Sequence, residues 1–406
     1  MRLLFASTSG MGHFNPLVAF IDAAVARGDE VLAVGPPKLE PTLAARGHAY
    51  RIGAAPSQDE VAAFRERMAA AAPDEAEGMI DREYFGRLCT AAMLPALEEA
   101  CDSWRPDLVL HEPCEYSSVV AADRRGIPHL QVAISLARLE AAVLANTGPV
   151  LAAYGDHIAG RLKASGYLTR FPPSVDPSPY PATRRFREAA INRLIRVGEA
   201  GLLEGKRVGG SGPLPDWWHG SDAPLVYVTF GTMAGGRPAG DAAYRVALDA
   251  VAGLPFRVLM TVGRATDIAA LGDIPANVHV EPWVAQADAL ASAAAVVCHG
   301  GSGTTFGTLA AGLPLVVVPM FADQPANARL VESAGAGLAV PPGGVSDGRI
   351  AVPVATDAAR IRRALESVLS DASYRRAAQR LAAEMAALPT AGELLDALHG
   401  EIGARC

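Results

Sequence analysis

The chain has 406 residues, half of them apolar and 19% charged, with 36 Lys and Arg against 43 Asp and Glu for a formal net charge of −7. At roughly 100–200 residues per domain this length predicts two domains with a large buried core, and the acidic balance argues against a nucleic-acid partner. No apolar run approaches the ~18–20 residues that span a bilayer. The N-terminus, MRLLFAST, lacks the long apolar stretch and cleavage site of a signal peptide, so a cytoplasmic address is expected.

Residues 2–8 (RLLFAST) predict a buried strand, followed by the glycine loop Ser9-Gly10-Met11-Gly12-His13. Pro16 is well tolerated at a first helical position, so a helix is expected from there to Gly28. Strands follow at 30–35 and 48–53, helical stretches through about 58–102, then a strand at 106–112, a helix near 115–125 and a strand at 127–134. Segment 135–205 reads as more helical and less regular, with a proline-rich stretch from Phe171 to Pro181. Arg184, Arg185 and Arg187 read as a solvated helix face.

A Gly- and Pro-rich run with two exposed-looking tryptophans, VGGSGPLPDWWHGSDAP, predicts an interdomain linker at 206–222. A second βα series then begins at 224–230, with strands at 256–263, 277–283, 294–300, 313–319 and 337–340. The tail from about 356 to 403 reads as helix broken at Leu388-Pro389. Strands that are apolar throughout and alternate with helices indicate parallel sheets covered on both faces. The expected fold class is therefore α/β, with two doubly wound, Rossmann-like parallel sheets. Such sheets bind ligands at the carboxyl ends of their strands.

The first glycine loop half-resembles a dinucleotide fingerprint. Asn15 stands in place of the third glycine, and the next strand ends in Val34-Gly35-Pro36-Pro37 without an acidic ribose ligand, which argues against NAD. His13 is a titratable ring at the mouth of the first sheet, with a catalytic and a structural reading both open. The second loop, His299-Gly300-Gly301-Ser302-Gly303-Thr304-Thr305, follows a strand and opens a helix. Small residues, free helix N-terminal amides, hydroxyls and an imidazole make it a phosphate site without the Lys of a P-loop. Asp323 and Gln324 can bond adjacent sugar hydroxyls or serve as ordinary caps. The five cysteines (Cys89, Cys101, Cys114, Cys298, Cys406) show no metal-ligand spacing and read as reduced residues.

The runs EPWVAQADAL (281–290) and CHGGSGTTFGTLAAGLPLVVVPMFADQPANARLVESAGAGLAV (298–340) resemble the donor-binding signature of nucleotide-sugar glycosyltransferases of the GT-B fold. They are most similar to the bacterial branch that decorates macrolides, enediynes and other natural products. The resemblance also covers the glycine-loop start, the PDLVLHE strand (106–112) and the VTFGT strand (228–232).

It implies two domains facing a cleft: an acceptor-binding domain at 1–205, a donor-binding domain at 223–385, and a C-terminal helix at 386–406 packing back on the first. By matching position it implies that Trp283 lies over the nucleobase, with Val284 and Gln286 at its edge and Arg264 facing the nucleotide. His299, Gly301, Ser302, Gly303 and Thr304 would contact the pyrophosphate, with Thr232 near them and Gly12 on the donor side. Asp323 and Gln324 would hold the sugar, His13 would be the general base and Glu112 its orienting partner. The family more often has Asp where Glu112 stands, so the extra methylene must be accommodated; Glu115 is a weaker candidate.

The implied reaction transfers a hexose or deoxyhexose from a UDP- or dTDP-sugar to a hydroxyl of a small apolar acceptor, with inversion. No metal or other cofactor is expected, since no D-x-D pair sits at a strand end of the second half. The nucleotide sugar is a co-substrate. Small apolar residues at Ala133, Ile134 and Leu136 suit an apolar acceptor. Two alternatives stay open: a nucleotide-sugar 2-epimerase, and a non-catalytic nucleotide-sugar-binding partner protein. The oligomeric state is unreadable, with a dimer one option.

Overall fold

The alternation of apolar residues in the first strand sets the architecture of the first half. In β1 (Arg2–Ala6), Leu3 and Phe5 enter one core and Leu4 and Ala6 the other. A strand buried on both faces needs helices above and below it. The structure, a computed structural model, describes residues 1–187, 214–231, 235–346 and 350–403. Two compact units result: Met1–Lys206 together with Leu388–Cys406, and Arg207–Ala387. Residues 206–213 of the expected linker and Cys406 lie outside the described residues. Among the described residues no helix is long and apolar enough to cross a membrane.

The first unit holds β1, β2 (Glu30–Gly35), β3 (Ala49–Ile52), β4 (Leu108–His111), β5 (His129–Val132), β6 (Gly166–Thr169) and β7 (Thr183–Arg185). All are parallel, in the order β3-β2-β1-β4-β5-β6-β7. Leu3 pairs with Val31 on one side and Leu108 on the other. The second unit holds β8 (Leu225–Thr229), β9 (Arg257–Thr261), β10 (Val278–Glu281), β11 (Ala293–Cys298), β12 (Leu315–Val317) and β13 (Gly337–Ala339). These are also parallel, in the order β10-β9-β8-β11-β12-β13. The expected pair of doubly wound sheets is present. An antiparallel hairpin, β14 (Gly344–Ser346) and β15 (Ile350–Val352), was not anticipated.

Several local expectations need correction. The first helix runs Met11–Ala26 and contains Pro16, rather than starting there. Gly10, at φ 126, turns the chain, and its carbonyl already accepts from the amides of His13 and Phe14 at 3.2 and 3.1 Å. His13 therefore stands on the first turn of a helix and not in a loop. The helical stretch at 58–102 is interrupted: helices Gln58–Ala70 and Pro73–Met79 lead into a π-helix, Ile80–Cys89, before Thr90–Trp104.

Segment 135–205 supplies β6 and β7, too short to show a strand pattern in the sequence. Arg184 and Arg185 thus lie on an edge strand, not a helix face. Arg184 pairs with Glu401 at 2.7 Å, and Arg185 donates to the carbonyls of Phe171 and Asp176. Arg187 forms a β-bridge with Thr390. The tail has a second break at Asp371, which ends one helix (Ala355–Ser370) and caps the next (Ala372–Ala386) through the Ser373 amide.

The last helix, Ala391–Gly403, buries Leu394, Leu395 and Leu398 with Leu17, Ile21 and Ala24 of the first helix. The two tryptophans are half-buried instead of exposed. Trp217 stacks on His279 with ring centroids 4.2 Å apart, and Trp218 Nε1 donates to the Asn277 carbonyl at 3.3 Å.

Candidate active site

In an open parallel sheet the ligand crevice opens where the strand order reverses. In the first unit that point lies between β1 and β4. The chain leaving β1 carries Thr8 and His13; the chain leaving β4 carries Glu112. His13 Nδ1 and Glu112 Oε2 are 3.1 Å apart. The Glu112 side chain is fully buried, while that of His13 is 23% exposed.

Glu112 Oε1 accepts from the Thr8 hydroxyl at 2.6 Å and the Thr8 amide at 3.0 Å, and Oε2 accepts from the Cys114 amide at 2.7 Å. Thr8 Oγ1 also lies 3.1 Å from His13 Nδ1. Burial alone would raise the Glu112 carboxyl; the facing His13 ring, the Thr8 hydroxyl and the Cys114 amide outweigh it and hold it below its ordinary value. An ionised carboxylate only accepts, so it fixes the proton on Nδ1 and leaves Nε2 with a lone pair. The additional methylene of Glu is thus accommodated by dividing its two oxygens among Thr8, His13 and Cys114.

Glu115 does not share this arrangement. Its carboxylate accepts from the Ser117 hydroxyl and the Ser118 amide at the start of the helix Ser117–Asp123, and burial raises its pKa. The Phe85 ring, on the π-helix, packs against the His13 ring with centroids 5.5 Å apart.

Beyond β5, Ala133 is buried and Ile134 and Leu136 half-buried. Their loop is held by Glu140, whose Oε1 accepts from the Ile134 and Ser135 amides at 2.8 and 2.5 Å and whose Oε2 accepts from the Tyr167 hydroxyl at 2.5 Å. Burial pushes the Glu140 carboxyl up to about 8 from an ordinary value of 4.5. A raised carboxyl means that the folded chain holds its proton longer than the unfolded one. This contribution to stability is therefore complete below about pH 4.5 and is lost as pH climbs to about 8. Glu140→Gln removes it, so thermal melts from pH 5 to 8 should show the variant gaining on the wild type as pH rises. A constant difference between the two would refute the assignment.

In the second unit the order reverses between β8 and β11. His299 follows β11, and the helix Ser302–Ala310 opens three residues later. A Cβ at Gly231 or Gly301 would come within 3 Å of the His299 ring, so both positions need glycine. Burial pushes the His299 imidazole down to about 4 against the Asp323 charge, so the ring is neutral at neutral pH. Its Nδ1 is buried without a hydrogen-bond partner among the described residues.

Ser302 Oγ donates to Asp323 Oδ2 at 2.6 Å. Gln324 is buried, and its Oε1 accepts from the Met320 and Phe321 amides at 2.8 and 3.2 Å. Thr304 Oγ1 and the Gly303 carbonyl each lie 3.4 Å from the Gln286 amide group. The Arg264 guanidinium lies over the Trp283 ring at 5.6 Å, beside half-buried Val284. The structure thus gathers His299, Gly301, Ser302, Gly303, Thr304, Gln286, Asp323 and Gln324 around one glycine turn, with Arg264 and Trp283 as a stacked pair. Gly12 is exposed on the first turn of the first helix, and Thr232 lies outside the described residues.

Three residues in these clusters have no part in the sequence reading. Thr8 bridges His13 and Glu112. Asn327 is fully buried, and its Nδ2 reaches the Gly300 carbonyl at 2.8 Å, Asp323 Oδ2 at 3.0 Å and Ser302 Oγ at 3.1 Å. Its place one helical turn after Asp323 was the available signal. Phe85 had none, because π-helical register is not visible in a residue pattern.

Comparison with known proteins places these features. Models of the N- and C-terminal domains of erythromycin biosynthesis protein CIII-like proteins match residues 19–154 and 245–400. The elloramycin glycosyltransferase ElmGT of Streptomyces olivaceus is 30% identical over 99% of this chain and 98% of its own. The L-demethylnoviosyl transferase of Streptomyces niveus is 29% identical over the same shares. The structure of the spinosyn rhamnosyltransferase SpnG complexed with thymidine diphosphate superposes with a TM-score of 0.76 at 22% identity, covering 98% of this chain and 100% of that one, and shares the fold.

Fold and relatives together define a glycosyltransferase of the GT-B class. The chain belongs to the bacterial natural-product glycosyltransferases of the erythromycin biosynthesis protein CIII-like family.

Proposed function

We propose that this glycosyltransferase moves a hexose or deoxyhexose from a dTDP- or UDP-sugar to a hydroxyl of a small apolar natural product, with inversion and without a metal. The observation that carries the reading is the pairing of the fully buried Glu112 carboxylate with His13 Nδ1 at 3.1 Å.

An acceptor hydroxyl is a poor nucleophile at neutral pH. His13 Nε2 takes its proton as the new C–O bond forms, and Glu112 stabilises the imidazolium that results. Direct attack on the anomeric carbon inverts it. The departing nucleoside diphosphate gathers negative charge, which the N-terminal amides of the Ser302–Ala310 helix and the buried His299 Nδ1 are suited to meet. Asp323 and Gln324 bind sugar hydroxyls, and Trp283 covers the base. The thymidine diphosphate of the SpnG complex supports a dTDP-sugar as the first donor to try.

The test is turnover of dTDP- and UDP-sugars against polyketide, macrolide and flavonoid acceptors, read by product mass and by the anomeric coupling constant, with and without EDTA. A hexose- or deoxyhexose-sized gain of inverted configuration, unaffected by EDTA, is expected. Retained configuration or loss of activity in EDTA would overturn the mechanism. Donor consumed to an epimer with no acceptor gaining mass would replace the reading with an epimerase.

A further inference from the structure

His13, Glu112 and Cys114 each present a metal-binding atom at the carboxyl end of β4, and these atoms all lie within 4.8 Å of one another. Imidazole, carboxylate and thiolate are the donor set of a borderline-soft divalent ion such as Zn²⁺, and three protein ligands leave a fourth position open. With bonds of about 2.0–2.3 Å, tetrahedral ligand atoms stand roughly 3.3–3.8 Å apart. The His13–Glu112 pair, at 3.1 Å, is near that spacing, and the Cys114 thiol lies within 4.8 Å of a ligand atom on each.

Supporting features surround the three groups. Glu112 is already oriented by the Thr8 hydroxyl and the Cys114 amide, the kind of outer contact that fixes metal ligands. Cys114 is half-buried, whereas Cys89, Cys101 and Cys298 are buried. One carboxylate and one thiolate neutralise a divalent ion, so binding buries no net charge.

We propose that Zn²⁺, or a cation of similar softness, binds His13, Glu112 and Cys114 and shuts the transferase off. On binding, the Cys114 thiol releases its proton to solvent as the S–metal bond forms. The metal takes the Nδ1 lone pair, and the proton displaced from Nδ1 is carried on Nε2 instead. A ring protonated at Nε2 accepts no proton from an acceptor hydroxyl. The inhibition rests on His13 serving as the base; the binding does not.

The experiment titrates Co²⁺, then Zn²⁺, into EDTA-treated, desalted full-length protein and reads the thiolate-to-Co²⁺ charge-transfer band, with transfer activity followed in parallel. The expected result is a band in the wild type that Zn²⁺ abolishes, and transfer lowered more than about 10-fold. In Cys114→Ala and Cys114→Ser the band is lost and Zn²⁺ affinity falls by at least about 10-fold, the lower figure for losing even a supporting contact of a metal site. Each variant is compared with its own metal-free rate, and its melting curve reports whether it is folded. Absence of a band, or a band that survives in both variants, overturns the site. A Cys114-dependent band with undiminished transfer at saturating Zn²⁺ overturns the inhibition and removes His13 as the base. If no acceptor is glycosylated under any condition, the proposed function fails, but the Co²⁺ titration still decides the binding.

Discussion

Replacing His13 by alanine is expected to lower kcat by about 10²–10⁴-fold, the range of general-base catalysis, while the Kd for the donor nucleotide stays within about twofold. The reason is the division of labour between the clusters. His13 belongs to the group built on Thr8 and Glu112, whereas the proposed phosphate site is the glycine turn after β11.

Glu112→Gln should give a similar loss by a different route. An amide facing Nδ1 can donate to it, which moves the ring proton to Nε2 and leaves no base. Because the two residues act as one unit, the double variant should be barely worse than either single one. Steady-state kinetics with a saturating acceptor, alongside calorimetry with dTDP or UDP, separates these effects. A His13→Ala enzyme with wild-type kcat would place the base elsewhere.

His299→Ala should weaken binding of dTDP or UDP by roughly 10–100-fold, corresponding to the ~1.5–3 kcal/mol of a hydrogen bond to a charged group. Among the described residues the ring has a buried nitrogen without a hydrogen-bond partner, and it is packed between two glycines, so its direction is fixed before the ligand arrives. Its pKa, pushed down to about 4 by burial, also sets the pH response. From pH 6 to 8 the ring is neutral in the free protein, so any pH dependence that His299 adds to nucleotide affinity there reports a proton taken up on binding. An anion beside the ring favours its protonated form, so binding is expected to tighten as pH falls and to level off near pH 4. Calorimetry across that range checks both points, and an unchanged Kd in the variant would exclude His299 from the phosphate site.

The fold class was legible because its signal is repeated. Apolar strands such as LLFA, LVYV and AAVVC each end in a loop rich in small or polar residues, and each is followed by a helix. Where that repetition lapses, so does the reading. β7 is Thr-Arg-Arg, with no apolar residue to mark it, and is held at the sheet edge by contacts to Glu401, Phe171 and Asp176 far along the chain or across a loop.

Pro16 misled because the proline rule describes an isolated helix start. Here Gly10 starts the helix earlier, and one missing amide is tolerated inside it. In the candidate site, His13, the glycine turn 299–305 and the Asp323-Gln324 pair could be picked out from the residues themselves, whereas Glu112, Arg264, Trp283, Val284 and Gln286 came from the family resemblance. Thr8 gave no such signal, since it acts through bonds to other side chains, and Asn327 showed only its place one helical turn after Asp323. Phe85, whose ring packs against His13, lies on a π-helix, a register that a residue pattern does not show.

The last helix has a consequence for the order in which the chain can fold. Leu394, Leu395 and Leu398 complete the apolar face of Leu17, Ile21 and Ala24, nearly the whole length of the chain away. During synthesis the ribosome must finish the entire second sheet before the first helix receives its cover. The stripe on the first helix is therefore covered only once Ala391–Gly403 has emerged, so the first unit is completed after the second sheet.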